Sequence, residues 1–411
     1  MSVLTPSSGV CPHYPFPDRP GIDLAPQYAD LFAGEPLVPV QLPGGRPALL
    51  VTRYADVRTV LADPRFSREQ WHNGTLFARE SSALALVTSD APTHSRRRRA
   101  VQSWFTQRNA ERARPRVAAI AKRLLDDITA AESTVDLVAA FTTPLPYQVI
   151  CELLGIPAGD LDRLLPRVTV MMSAGRFAAD EVTAAHQAMH EYFFDQLTAR
   201  ERAMEAGVPG DDLLTALLTA PEETRLSTRE IAVFGFGLLM AGGETTASHL
   251  AMCVLQLLRR PDLAESLRRD PAAIPPFVEE MLRWVWFAGT GGQPHVAVAE
   301  VELAGRTIGA GQVVVPLTDA ANRDPEVFGD GGEFRPGRTP NPHLGLGHGR
   351  HMCLGAAHAR VELQEGLAAI LPHLGRMELA VDESQLDWRS QMFIRGLWTL
   401  PVRWRGTAAP A

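Results

Sequence analysis

The sequence predicts a mostly α-helical protein with small β-sheets, and three observations carry that prediction. Five long segments, 116–131, 183–206, 227–260, 275–287 and 354–373, repeat apolar residues at helical spacing. Two segments, LVPVQLPGGRPALLVTR at 37–53 and VELAGRTIGAGQVVV at 301–315, alternate around glycine-containing turns and read as hairpins. No internal repeat, low-complexity tract or linker between independent cores interrupts the chain, and GDGGEFRPGRTPNP at 329–342 reads as an ordered meandering loop.

Bulk properties bound the function. A chain of 411 residues, 45% hydrophobic and 21% charged, can bury a large core and enclose a cofactor, and its length alone allows two or three domains. The net charge of -7 and pI near 6.0 argue against nucleic acid as a partner. The N-terminus carries no basic region followed by an apolar one, and no run of about 18 apolar residues occurs, so a cytoplasmic protein without a membrane anchor is expected. Four cysteines (Cys11, Cys151, Cys253, Cys353) without a C-x-x-C pair are too few for a disulfide framework. Cysteine chemistry therefore falls to a single thiol.

The segment 227–260 opens on an S-x-x-E capping box, Ser227 with Glu230, and Pro261 closes it, giving roughly 33 residues and a length near 50 Å. It is apolar on most faces, which predicts burial. Within it sits Ala241-Gly242-Gly243-Glu244-Thr245-Thr246. Two glycines in a helix interior cost about 1 kcal/mol each relative to alanine, and a buried Glu-Thr-Thr needs partners. One reading is a kink or a close helix crossing. The other is a helix opened against a flat ligand, with a carboxylate and a hydroxyl available to move protons.

The segment 343–360, HLGLGHGRHMCLGAAHAR, is the second informative stretch. Glycines at 345, 347 and 349 allow tight turning and close approach to a ligand, and a helical run begins just after Cys353. A thiolate near a helix N-terminus is stabilised by the dipole and the free N–H groups. An inert buried cysteine is the plain alternative. Zinc held by some of His343, His348, His351, Cys353 and His358 is disfavoured, because zinc sites use paired ligands on short spacers and one thiol stands here alone.

These residues resemble the motifs of the cytochromes P450. Gly347-His348-Gly349-Arg350-His351-Met352-Cys353-Leu354-Gly355 is similar to the family's cysteine-loop signature F-G-x-G-x-H/R-x-C-x-G, with Leu346 in place of the phenylalanine. Ala241 to Thr246 resembles the oxygen-activating A/G-G-x-D/E-T-T motif, Glu280-Met281-Leu282-Arg283 the E-x-x-R motif, and His94-Ser95-Arg96-Arg97-Arg98 the H-x-x-x-R motif. Ala321-Asn322-Arg323-Asp324-Pro325 and the hairpin and helix at 37–64 extend the likeness over nearly the whole chain. The resemblance implies a single domain over residues 1–411 with the P450 fold, in which haem lies between the long central helix and the cysteine loop.

It also implies roles. Cys353 would be the thiolate ligand of haem b (iron protoporphyrin IX), donating electron density that favours O–O cleavage. Glu244 and Thr245 would deliver protons while Ala241 and Gly242 leave room for dioxygen. His94, Arg98, His295 and His351 would meet the haem propionates, with Leu346 and Gly347 beside the sulfur. In the basic run, Arg98 is expected to face inward, with Arg96, Arg97 and Arg99 partly available to a partner. Glu280 and Arg283 would form a buried structural ion pair.

Three positions depart from the pattern. Leu346 replaces an aromatic residue, His295 stands where many bacterial members have an arginine for the second propionate, and Glu333 precedes Phe334 where an arginine is common, so Arg335, Arg338 or another cation must complete the ion-pair network. The resemblance implies a monooxygenase of a small secondary metabolite fed by a ferredoxin and its reductase, with oxidative coupling or cyclisation as the alternative. A haem sensor is disfavoured by the intact Glu244-Thr245 pair. Substrate-pocket candidates are Trp71, Phe77, Met171, Trp286, Phe287, Gly289, Met392 and Phe393, and the aromatic residues among them favour an aromatic-containing substrate.

Overall fold

A computed structural model describes residues 11–73, 85–130, 134–289 and 292–404. Its helices of six or more residues are, in chain order, α1 (Gln27–Ala33), α2 (Tyr54–Ala62), α3 (Arg68–Asn73), α4 (Thr93–Val101), α5 (Gln107–Ala130), α6 (Pro144–Leu154), α7 (Leu161–Met171), α8 (Ala179–Glu205), α9 (Leu213–Leu218), α10 (Thr228–Arg259), α11 (Pro261–Arg269), α12 (Ile274–Trp284) and α13 (Ala356–Leu374). The long helices match the periodic segments. The largest difference is α5, which begins at Gln107 and runs through Pro115, where periodicity alone starts the helix after the proline.

The chain divides into two compact units. The first comprises Met1–Arg96, Leu282–Arg335 and Thr339–Cys353. At its centre is a five-stranded sheet of order β1-β2-β8-β5-β3, formed by β1 (Leu37–Leu42), β2 (Arg46–Val51), β3 (Phe66–Ser67), β5 (His295–Ala297) and β8 (Val313–Pro316). The hairpin expected at 37–53 is β1–β2, turning at the proline and two glycines. The hairpin expected at 301–315 is shorter. Only β6 (Val301–Leu303) and β7 (Arg306–Ile308) pair with each other, and the apolar run that follows crosses to lie parallel to β2. That run is Val313-Val314-Val315, buried on both faces, as a central strand requires. Val314 packs with Leu37, Val57 and Phe66, whereas Val313 and Val315 pack on the other side with Tyr14, Tyr28 and Trp286. The period-2 alternation of the strand makes this division.

The second unit comprises Arg97–Met281, Pro336–Arg338 and Leu354–Ala411. Helices α6, α8 and α13 pack around α10, α5 packs against α13, and β4 (Val135–Asp136), β10 (Pro401–Trp404) and β9 (Met377–Leu379) form a small sheet. Helix α10 is long and apolar enough to cross a bilayer, but 67% of its most apolar window is buried inside the protein, as in a core helix. Ser227 caps it, its hydroxyl accepting from the Glu230 N–H at 3.2 Å, while the Glu230 carboxylate accepts from the Ser227 N–H at 3.0 Å.

The two glycines inside α10 are explained by close crossings. The helix is α-helical throughout and does not open at the Gly242-Gly243 pair, contrary to the reading of a helix parted against a ligand. A Cβ on Gly243 would lie 2.4 Å from the Tyr147 ring of α6, and one on Gly242 would press at 3.2 Å on Ile150. Gly243→Ala should therefore lower the unfolding free energy by about 1–3 kcal/mol, the usual cost of overpacking, read as an earlier midpoint in denaturant. An unchanged midpoint would mean that Tyr147 moves aside freely.

Candidate active site

The cysteine loop belongs to the first unit and is shaped by its glycines. Gly347 has φ +76° and Gly349 φ +68°, left-handed conformations that favour glycine. Gly349 also lies against α2, where a Cβ would come 2.6 Å from the Leu61 carbonyl oxygen. The loop closes when the Cys353 N–H donates to the Leu346 carbonyl at 2.8 Å, a bond independent of the Leu346 side chain. Upstream, the Leu344 N–H donates to Asn322 Oδ1 at 2.6 Å and the Tyr54 hydroxyl to the Pro342 carbonyl at 2.6 Å. Asn322 and Tyr54 thus carry anchoring roles that no periodicity reveals. The Cys353 thiol is exposed, and Gly355 caps α13 two residues on. Cys151 and Cys253 are buried, and burial pushes the Cys151 thiol up to about 12.

A cluster of imidazoles lies in the same unit. The rings of His94 and His351 are 4.2 Å apart. Burial, then the charges of Arg68 and its neighbours, push His351 down to about 2, and its Nε2 has no hydrogen-bond partner among the described residues. His295 is differently placed. Its Nδ1 lies 2.8 Å from the Gln293 carbonyl, which can only accept, so Nδ1 carries the proton. Its Nε2 accepts from Arg68 Nε at 3.1 Å. With both ring nitrogens used, His295 has no N–H left for a propionate, and the expectation that it binds one is corrected.

In the second unit, α10 presents one uncovered stripe. Ala241 is exposed and Gly242 and Thr245 are half-buried on a helix otherwise mostly buried. The Thr245 hydroxyl donates to the Ala241 carbonyl at 2.5 Å. Glu244 turns the other way and is buried. One carboxylate oxygen accepts from the Tyr147 hydroxyl at 3.1 Å, and the other pairs with Arg389, whose guanidinium also lies over the Trp398 ring. Burial raises the Tyr147 hydroxyl and lowers Arg389 to about 10.

The basic run divides differently from expectation. Arg97, 4% exposed, pairs with Glu230 at 3.0 Å, so it is committed to the α10 N-terminus and withdrawn from any docking surface. Arg98 on α4 is half-buried, and Arg99 is exposed. Around the E-x-x-R helix α12, Glu280 pairs with Arg338 at 3.3 Å in the second unit. In the first, Arg283 donates to the carbonyls of Asn322 (2.8 Å), Gly331 (2.9 Å) and Glu333 (2.8 Å). Of the cations considered for the position of Glu333, Arg338 reaches Glu280, whereas Arg335 pairs with Asp330.

The pocket candidates separate as well. Trp286 is 3% exposed and packs edge-on to Tyr28 in the core beneath the sheet, so its burial there replaces the expected pocket role. Trp71 is half-buried under the Arg46 guanidinium. Met171 and Met392 are buried, Phe287 and Gly289 half-buried, and Phe393 exposed. Phe77 lies outside the described residues. Among the described residues no group of three His, Cys, Asp or Glu side chains is placed to hold a metal ion, which leaves the zinc reading without a ligand set.

A family model described as "Cytochrome P450" matches residues 175–378. The chain is 42% identical over 399 residues to the mycinamicin IV hydroxylase/epoxidase of Micromonospora griseorubida, covering 95% of this chain and 98% of that protein. The chain belongs to the cytochrome P450 family. It is also 38% identical to the nocardicin C N-oxygenase of Nocardia uniformis subsp. tsuyamanensis, with 95% and 98% of the two chains covered. Among solved structures, it superimposes with a TM-score of 0.85 on cytochrome P450mel 107F1 with biaryl coupling reactivity, at 36% identity over 93% of this chain and 96% of that one. The chain has the P450 fold and is an oxidoreductase.

The P450 family implies a haem held by a cysteine thiolate, and the residues present fit one. In the first unit an exposed Cys353 thiol follows a glycine-shaped loop and a buried imidazole nitrogen on His351 lacks a partner among the described residues; in the second, α10 leaves Ala241 exposed between the half-buried Met240 and Gly242. The motifs in the sequence pointed to all three. Tyr147 and Arg389, which hold Glu244, carry no local signal, because they reach it from 97 and 145 residues away.

The helix that follows the cysteine of this P450 also buries a carboxyl. Glu362 on α13 is buried, its Oε2 has no hydrogen-bond partner among the described residues, and burial raises its pKa well above the usual range. The folded protein therefore binds a proton there that the unfolded chain releases near pH 4.5. The stability is fully present below that pH and is lost as pH rises through the raised value. Between about pH 4 and 8 the wild-type unfolding midpoint should fall relative to that of Glu362→Gln, which cannot ionise. Parallel pH profiles for the two proteins would show that the carboxylate is stabilised in the fold.

Proposed function

We propose that this P450 is a haem-thiolate monooxygenase that oxidises a small secondary metabolite with electrons from a ferredoxin and its reductase. The observation that carries the reading is the exposed Cys353 thiol at the end of a glycine-shaped loop and at the head of α13. When bound, haem would supply the activation of dioxygen, with Cys353 as its ligand and His94, Arg98 and His351 toward its propionates. Thr245 would hold a proton at its hydroxyl beside the bare Ala241, and Glu244, held by Tyr147 and Arg389, would be the carboxylate behind it. The relatives named as oxygenases of mycinamicin IV and nocardicin C support oxygen insertion into a natural product.

The substrate is aromatic-containing in this reading, resting on the half-buried Phe287. Trp286 no longer contributes. Electron transfer from an acidic ferredoxin would be steered by Arg350, next to the exposed Met352 and Cys353, and weakened by salt. A second reading, oxidative coupling without oxygen insertion, is favoured by the neighbour with biaryl coupling reactivity.

The reduced carbonyl adduct should show the red-shifted Soret band of thiolate ligation, and Cys353→Ala should abolish it. Retention of that band in the variant would remove the thiolate from the reading. Turnover under isotopically labelled dioxygen should place label in the product. An unlabelled product two hydrogens lighter, or a joined dimer, would move the assignment to coupling.

A further inference from the structure

His295 occupies the position at which the sequence pattern leads one to expect a cation, and both of its ring nitrogens are already used. The strand ladder shows where a cation is instead. Strand β3 pairs antiparallel with β5 through Phe66↔Ala297 and Ser67↔Val296, so the next residue along, Arg68, stands opposite His295. Arg68 is 9% exposed and His295 2%. The guanidinium donates Nε–H to His295 Nε2 at 3.1 Å and has a long contact from Nη1 to the Val87 carbonyl at 3.5 Å.

That is poor compensation for a buried charge. Among the described residues no carboxylate is hydrogen-bonded to the guanidinium. The nearby Asp90 is engaged by the Ser67 hydroxyl and, at 3.4 Å, by the Arg68 backbone N–H. A buried guanidinium so sparsely partnered is costly, and it lies near His351, whose Nε2 has no hydrogen-bond partner among the described residues. Arg68, His94 and His351 thus bring a guanidinium and two imidazoles together where no carboxylate among the described residues is hydrogen-bonded to the guanidinium. The planar fork of arginine suits the two oxygens of a carboxylate.

We propose that Arg68 is the cation that binds a haem propionate in this protein, and that His295 is a neutral positioning residue which orients it from the facing strand. The assignment moves the charge across one rung of the β3–β5 ladder. The fixed tautomer of His295 is part of it, since Nδ1–H must point at Gln293 for Nε2 to receive Arg68.

The inference rests on the haem-thiolate reading, and the test separates the two. Arg68→Met holoprotein should lose haem to excess apomyoglobin on the order of tenfold faster than wild type, the effect of one charge-assisted hydrogen bond. Its propionate-bending band in resonance Raman should shift, while the thiolate Soret band of the carbonyl adduct stays. Arg68→Lys, which keeps the charge, should fall between the two and covers the case in which the methionine variant does not fold. Proteins reconstituted with the dimethyl ester of haem should lose it at equal rates whether Arg68 is present or not. Unchanged haem transfer and an unshifted band in both variants would overturn the assignment. So would an equal effect of Arg68→Met on the free acid and the ester, which would mean that Arg68 holds a solvent anion or only the fold. A wild-type protein without the thiolate spectrum would instead defeat the proposed function.

Discussion

Close packing on one buried helix constrains the second unit. Helix α10 runs for 32 residues, and its neighbours come so near that side chains would collide at several points. Phe193 lies on Gly235, Tyr147 on Gly243, and Leu145 and Leu250 close on Gly366 of α13. Each contact fixes the rotation of α10 about its axis, because a turn of one residue would drive a Cβ into an aromatic ring. That rotation decides which residues of the oxygen-activating motif stay bare. Ala241 and Thr245 fall on the uncovered stripe, and Glu244 falls on the side of Tyr147 and Arg389.

Buried charge is handled by a consistent rule, and its exceptions are informative. Arg97 pairs with Glu230, Arg338 with Glu280, Arg389 with Glu244, and Arg283 is surrounded by carbonyls. Desolvation makes each pairing necessary, since a charge removed from water without partners costs more than the fold can offset elsewhere. Arg68 and Glu362 break the rule in opposite ways. A carboxyl can give up its charge by keeping its proton, so Glu362 needs no ligand. An arginine holds its charge even when burial lowers it to about 10, so Arg68 calls for an anion.

The departures from the family pattern are absorbed by backbone and topology. Leu346 changes the side chain near the thiol, but the turn that presents Cys353 is made by the Leu346 carbonyl and the left-handed Gly347. Glu333 contributes its carbonyl to Arg283, while the charge for Glu280 comes from Arg338. At Glu333 the missing charge is supplied by a residue a few positions on, whereas at Leu346 the turn is made by backbone groups whatever the side chain.

The sequence by itself determined the family, the cysteine loop, the long apolar helix and the order of the elements, because these depend on local patterns. A capping box, a 3.6-residue period, and a glycine-rich turn before a lone cysteine are each set by residues a few positions apart. Tertiary structure alone decided which of adjacent, chemically equal residues does what. Of the arginines at 96 to 99 the motif singled out only Arg98, and packing against Glu230 turns Arg97 inward. Trp286 stood among the pocket candidates, and only Tyr28, 258 positions earlier in the chain, shows it packed in the core. The valines at 313–315 looked like the end of a hairpin, and only the parallel partner β2 placed them in the central sheet. Such outcomes depend on contacts between distant segments, whose energies exceed the differences that local propensity can express.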